Sequence, residues 1–194
     1  MTDDDPYTIP GSTCLQNLLG LKDSNELRLV EARIISIRDA ALARTVLPGE
    51  YNLAHLQSFH RELFQDVYSW AGQLRTVDTA KDGLRFGNWK FVDEQVSAVL
   101  AKLEDDDWLA GLRRESFVLK LAFYYGETNA VHPFREGNGR AQRAFLRQLS
   151  ASAGWHLDWS ELNKSDNVMA SRHNLRTAST DELAKVIDPV VVRI

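Results

Sequence analysis

Cysteine is nearly absent: Cys14 is the only one in 194 residues. No intrachain disulfide can form, which suits a reducing cytoplasm. No apolar run approaches the length that crossing a bilayer requires, so no membrane role is expected. The start, Met1-Thr2-Asp3-Asp4-Asp5, is acidic and lacks the apolar stretch of a signal peptide. A dense basic run is also missing, and the net charge is −4. Direct binding to nucleic acid is therefore not expected. Internal repeats and low-complexity segments are absent as well. No acid-rich cluster at metal-ligand spacing surrounds His55 or His60, so both read as ordinary surface or core histidines. The acidic run Glu104-Asp105-Asp106-Asp107 is too compact for a calcium loop and reads as a solvated corner. What is left is 44% hydrophobic and 26% charged, a balance that suits one folded domain with a sizeable core.

Helical periodicity dominates what is present. A first helix is expected from a cap at Asp23 or Ser24 to about Arg44, with Leu27, Val30, Ile34, Ile37 and Ala41 as its core stripe. Pro48-Gly49 ends that segment. Asn52 can cap a second helix to about Tyr68, with Leu53, Leu56, Phe59, Leu63, Phe64 and Val67 turned inward. Residues 70–91 change character, being punctuated by Gly72, Gly83 and Gly87. Thr76 to Thr79 and Leu84 to Phe86 are short extended segments, and Asp82-Gly83 is the turn signal between them. Two strands alone are marginal, so this hairpin must rest on the helical body. Its edge can accept a partner's extended backbone, although a plain surface hairpin is the simpler reading of these residues. Helices are further expected over 91–103, 117–130, 140–152, 160–175 (capped by Ser160) and 180–187. The aromatic run 155–159 is expected to pack on the helix before it, and the tail 189–194 to be extended. The expected fold class is all-α, mostly helical, with a small β-hairpin.

The chemistry concentrates in His132-Pro133-Phe134-Arg135-Glu136-Gly137-Asn138-Gly139-Arg140, with Arg143 one turn later. The helix before this stretch has Phe117, Val118, Leu121, Ala122 and Tyr125 on one stripe. The helix after it has Ala141, Phe145 and Leu149 on its apolar side. Pro133 fits the intervening loop because it lacks an N–H. Gly137 and Gly139 permit tight backbone conformations and close ligand approach. The first N–H groups of the next helix have no carbonyl partners and favour an anion, most often phosphate. Asn138 has two roles open to it, holding the turn or donating to the anion. Arg140 and Arg143 share a helix face and have the forked geometry that suits phosphate oxygens. Glu136 beside a polyphosphate implies an intervening Mg²⁺, though capping the helix start would also explain it. His132 stands at the entrance as a general base. Each residue alone has a bland structural reading; the combination in twelve residues is what points to a site.

This stretch resembles the signature of the Fic family, H-x-F-x-D/E-G-N-G-R-x-x-R, at every specified position. Val67-Tyr68-Ser69-Trp70-Ala71-Gly72-Gln73-Leu74-Arg75 is similar to a second family stretch, V-Y-x-W-A-G-x-x-R, and Thr76 to Phe91 to the family's flap. The resemblance covers about 6–159 and implies a single Fic domain over 1–194, with its core at about 24–175 and its flap at about 74–91. It implies transfer of AMP from ATP, with Mg²⁺, to a hydroxyl side chain of a target protein. His132 is then the base and Glu136 the metal carboxylate. Gly137, Asn138 and Gly139 form the anion hole, Arg140 and Arg143 bind the outer phosphates, and Phe134 anchors the loop. Thr76, Val77, Asp78, Lys81, Leu84 and Phe86 would dock the target segment.

Three other activities stand beside that one. A Doc-like kinase would carry Lys where this chain has Gly139. Transfer of another nucleotidyl group or of phosphocholine is the second. A non-catalytic ATP-sensing regulator is the third, and the intact His132 argues against it. Many Fic proteins contain an inhibitory helix with the pattern S/T-x-x-x-E-G/N. Only Ser58 to Glu62 has that spacing here, and Leu63 follows instead of Gly or Asn. The resemblance therefore implies a toxin silenced by a small antitoxin that supplies the inhibitory Glu. In that branch bacterial type II topoisomerases, DNA gyrase and topoisomerase IV, are the target class.

Overall fold

The computed structural model describes residues 5–81 and 83–194. The acidic start before Asp5, and Asp82 of the expected hairpin turn, lie outside the described residues. Seven α-helices occur among those described: α1 (Ser24–Leu42), α2 (Leu53–Phe64), α3 (Val92–Asp105), α4 (Arg114–Val131), α5 (Asn138–Ser152), α6 (Lys164–Thr177) and α7 (Asp181–Ile187). Two small antiparallel ribbons complete the fold. In the first, β1 (Ala80–Lys81) pairs with β2 (Leu84–Arg85); in the second, β3 (Trp155–Leu157) pairs with β4 (Val191–Arg193). The mostly helical fold with a small hairpin is as expected.

The caps at Asp23 and Asn52 are made as read. The Asp23 carboxylate accepts from the N–H groups of Asn25 and Glu26, and Asn52 from that of His55. The stripes of α2, α4 and α5 are buried, and they form one core with α3 and α7. His55 and His60 are both core residues.

Several expectations need correction. The core face of α1 is Leu27, Glu31 and Ile35, whereas Ile37 is 73% exposed. The inward carboxylate at Glu31 sets that face, and a stripe read from apolar residues alone could not place it. Helix α2 stops at Phe64, and Val67 and Tyr68 are buried in the turn beyond. Helix α6 begins after Asn163, whose side chain accepts from the N–H groups of Ser165 and Asp166. Ser160 instead lies in a 3-10 turn capped by Asp158. Thr76 to Thr79 is not a strand; the pairing begins at Ala80, in register with Arg85. Partners elsewhere occupy that stretch: the Thr76 N–H donates to Tyr7, the Val77 carbonyl accepts from Arg75, and Asp78 accepts from Trp89.

Candidate active site

Helix α4 ends at His132, which adopts a left-handed conformation at φ 55°. This turns the chain sharply into Pro133, and the imidazole enters the site as the helix stops. The C-terminal carbonyls freed there are met by Arg75, whose side chain is completely buried. Its Nε donates to the His132 carbonyl at 2.7 Å and its Nη2 to that of Val131 at 3.0 Å. The same guanidinium reaches the carbonyls of Val77 and Gly87 at the base of the hairpin. A cation at a helix C-terminus is favourable, and here one side chain joins the helix end to the hairpin.

The loop from Phe134 to Gly137 is closed from within. Asn138 Oδ1 accepts from the Phe134 N–H and Nδ2 donates to the Phe134 carbonyl, both at 2.7 Å. The Asn138 side chain therefore holds the turn, and its backbone N–H remains for an anion. Gly137 has φ +81°, and a Cβ there would lie 2.2 Å from Cζ of Phe64. No residue but glycine fits. A Cβ at Gly139 would meet only the tip of the flexible Arg143, within ordinary adjustment. The bare backbone at Gly139 thus opens space towards the cleft.

A second layer was not visible in the sequence. His60 lies flat between Phe64 and Phe134, with ring centroids 4.7 and 3.9 Å away. Its Nδ1 accepts from the Gly72 N–H at 2.8 Å, so its Nε2 carries the proton and donates to the Glu136 carbonyl at 2.9 Å. Burial drives the His60 pKa down to about 4, which keeps this donor and acceptor arrangement neutral. A histidine three residues before the buried Leu63 gives no local signal of such a role.

His132 Nδ1 lies 3.2 Å from the Asn129 carbonyl and donates to it. The lone pair is then on Nε2. Desolvation, the main cause, lowers its pKa to about 4, so the ring is neutral at physiological pH and able to accept a proton. Phe86 of the hairpin lies on the imidazole at 3.7 Å and 9°. Lys81, Leu84 and Phe86 line the cleft, while Thr76 and Asp78 are tied into the hairpin base.

The cleft has a volume of about 480 Å³ and brings together His132, Glu136, Gly137, Asn138, Gly139, Arg140 and Arg143. Among the described residues, no protein acceptor is found for the N–H groups of Asn138 and Gly139 at the start of α5, and Arg143 is in no ion pair. Glu136 Oε1 accepts from the Gly137 N–H at 2.9 Å and from Arg140 Nη2 at 3.1 Å. No cluster of three metal-ligating side chains occurs among the described residues. Mg²⁺ is commonly held by one or two carboxylates plus substrate phosphates, so this donor set fits a cation that arrives with a polyphosphate. The far wall is built by α6 and the turn before it, with Trp159, Asn167, Val168 and Ser171. Trp159 belongs to the aromatic run expected to pack on the preceding helix, whereas Asn167, Val168 and Ser171 carry no motif and share only one face of α6. Trp159 Nε1 donates to the Arg143 carbonyl at 3.0 Å, which joins that wall to the motif helix.

The family model described as Fic/DOC family matches residues 50–150. The protein adenylyltransferase VbhT of Bartonella schoenbuchensis is 40% identical over 167 residues, covering 86% of this chain and 35% of that protein. The probable protein adenylyltransferase Fic of Salmonella typhimurium is 39% identical over 155 residues, covering 80% of this chain and 76% of its own. The chain thus spans about a third of VbhT and about three quarters of the Salmonella protein. Among solved structures, the BepC protein of Bartonella tribocorum with bound AMPPNP has a TM-score of 0.94 at 22% identity, over 100% of both chains. The type IV secretion system effector protein BepA has a TM-score of 0.88 at 26% identity, over 95% of this chain and 68% of that one. With a family model over more than half of its residues and relatives near 40% identical, this chain belongs to the Fic/DOC family.

Proposed function

We propose that the chain is an enzyme, a protein adenylyltransferase that moves AMP from ATP onto a hydroxyl side chain of a target protein. One observation carries this reading: a neutral imidazole with its lone pair on Nε2 shares a single cleft with the open N–H groups of Asn138 and Gly139. Relatives near 40% identical that are named protein adenylyltransferases support it.

The steps follow from the residues. His132 Nε2 takes the proton of the target hydroxyl as its oxygen attacks the α-phosphorus of ATP. The bond from that phosphorus to the bridging oxygen breaks and pyrophosphate leaves. The start of α5 offers N–H groups and its dipole to the phosphate charge. Arg143 is available for the outer phosphates. Glu136 would hold Mg²⁺, which neutralises charge on the phosphates and on the leaving group. The hairpin residues Lys81, Leu84 and Phe86 border the cleft where a target segment would lie, and an extended backbone could add to the hairpin edge.

Replacing His132 by Ala is expected to lower transfer by about 10²–10⁴-fold while leaving ATP binding nearly unchanged. Incorporation of α-labelled ATP into protein measures the first and equilibrium binding the second. An equal loss of both would contradict the assignment. Label arriving from γ-labelled ATP instead would indicate a kinase, against which the retained Gly139 argues.

The finer reading is a toxin held silent in trans. Arg143, in no ion pair among the described residues, is open to a glutamate from a small antitoxin, which would take the place of the outer phosphates. Purified DNA gyrase and topoisomerase IV are the first targets to assay. Growth arrest by the chain alone, relieved by the partner and not by the partner lacking its Glu, is the expected outcome.

A further inference from the structure

Arg140 stands between two carboxylates. Its Nη1 donates to Oε1 of Glu31 on α1, and its Nη2 donates to Oε1 of Glu136 at 3.1 Å. Its guanidinium carbon lies over the Phe64 ring at 4.7 Å. The other oxygen of Glu31 accepts from the Tyr68 hydroxyl. Glu31 is only 6% exposed, and its neighbours on the helix face, Leu27 and Ile35, are core residues. Both of its oxygens are used and neither lines the cleft.

A buried carboxylate is costly to keep, and an apolar residue at such a position is often at least as stable. Packing alone does not account for Glu31. Charge balance at Glu136 does. Arg140 alone would neutralise Glu136 and compete with a divalent cation for it. With Glu31 on the other side of the guanidinium, two carboxylates share one positive charge. The remaining negative charge is left to Glu136, the more exposed member of the three.

We propose that Glu31 is a positioning residue that holds Arg140 and offsets its charge, so that Glu136 stays available to a divalent cation bound with the nucleotide. This rests on the reading of Glu136 as the metal carboxylate. It assigns to α1, about a hundred positions before the motif, control over how strongly the site takes up Mg²⁺.

The test is the Mg²⁺ dependence of ATP binding to the full chain, measured at equilibrium and without turnover. Glu31→Gln is expected to raise the Mg²⁺ concentration for half-maximal binding about five- to tenfold, as loss of one nearby charge implies. Binding at saturating Mg²⁺ should stay close to that of the unsubstituted chain. Glu26→Gln, an exposed carboxylate on the same helix, should leave the midpoint in place; an equal shift there would reduce the effect to diffuse charge and overturn the proposal. If Glu31→Gln does not fold, Glu31→Asp carries the test. Its shorter carboxylate lies farther from Arg140, and the midpoint should rise by a smaller factor. An unchanged midpoint in the folded Glu31 variant, with a shifted one in Glu136→Ala, would leave Glu31 a packing residue only. An unchanged midpoint in Glu136→Ala as well would sink the reading of Glu136 itself.

Discussion

The motif loop and the hairpin meet at His132 but are built in opposite ways. In and around the loop, the polar groups that hold its shape are fixed by buried partners. Asn138 spends both ends of its amide on Phe134, His60 spends both ring nitrogens, and Arg75 reaches four carbonyls. The hairpin has two residues in each strand, and a Cβ on Gly83 at its turn would meet nothing within 4 Å. It meets the His132 imidazole through the ring of Phe86. Under the proposed function, the groups that would meet a phosphate sit on the part that cannot relax. The part that would admit a protein segment under the same reading is held by few bonds, and such elements open at low free-energy cost.

The sharpest way to break this contrast is to remove the residue that serves both regions. Arg75→Met keeps the apolar stem and leaves the carbonyls of Val77, Gly87, Val131 and His132 without their donor. A loss of at least about 3 kcal/mol is expected, because unsatisfied buried acceptors and lost charged hydrogen bonds add. Denaturant unfolding measures it. A loss confined to activity, with stability intact, would show that the hairpin and helix end hold without the guanidinium.

His60 tests the loop alone. Gln in its place can still donate to the Glu136 carbonyl but accepts poorly from the Gly72 N–H, so about 2 kcal/mol should be lost at neutral pH. The pH dependence is more telling. The folded pKa of about 4 lies below the ordinary 6.5, so the unfolded chain binds the proton first as pH falls. This contribution is fully present above pH 6.5 and is lost progressively down to pH 4, on the order of 3 kcal/mol in all. The variant lacks this loss, so its deficit should narrow across that window. A constant deficit would mean that His60 is not held neutral by burial.

The same contrast explains what could be read in advance. The loop's residues announced themselves because glycines, an asparagine, a histidine and two arginines rarely fall so close together. The supports of those residues did not. Glu31 interrupts an apolar stripe, His60 lies in an ordinary amphipathic helix, and Tyr7 reaches Thr76 across 69 positions. Such bonds join distant segments and leave no local periodicity. The tail is extended over Val191–Arg193 as expected, but its pairing with Trp155–Leu157 joins segments too distant to leave a local signal. The hairpin lies within the expected stretch, but Thr76 to Thr79 is not a strand and the pairing begins at Ala80. Extended propensity there is real, yet partners outside the ribbon take polar groups of Thr76, Val77 and Asp78, and among the described residues only the Thr79 carbonyl meets the hairpin, at the Phe86 N–H.

The smallest expected effect concerns the one ring that joins the two regions. Phe86 covers a face of the His132 imidazole, and desolvation is the main reason the His132 pKa lies near 4 instead of 6.5. The charges around it act in both directions, Glu136 raising the value and Arg75 and Lys81 lowering it. Phe86→Ala lets water reach the ring, so the pKa should rise, by about one unit for partial relief of burial. Near neutral pH the imidazole should stay mostly unprotonated in both forms, and the proposed proton transfer should change little. The acid limb of kcat/KM should move to higher pH by the same amount, and NMR titration of the imidazole should follow it. Stability should hardly change, because Phe86 is not part of the buried core. If the acid limb stays in place while target modification falls, Phe86 acts only on the incoming segment. If Lys81→Ala moves the limb and Phe86→Ala does not, charge and not burial sets the base, and the hairpin governs the chemistry through its lysine.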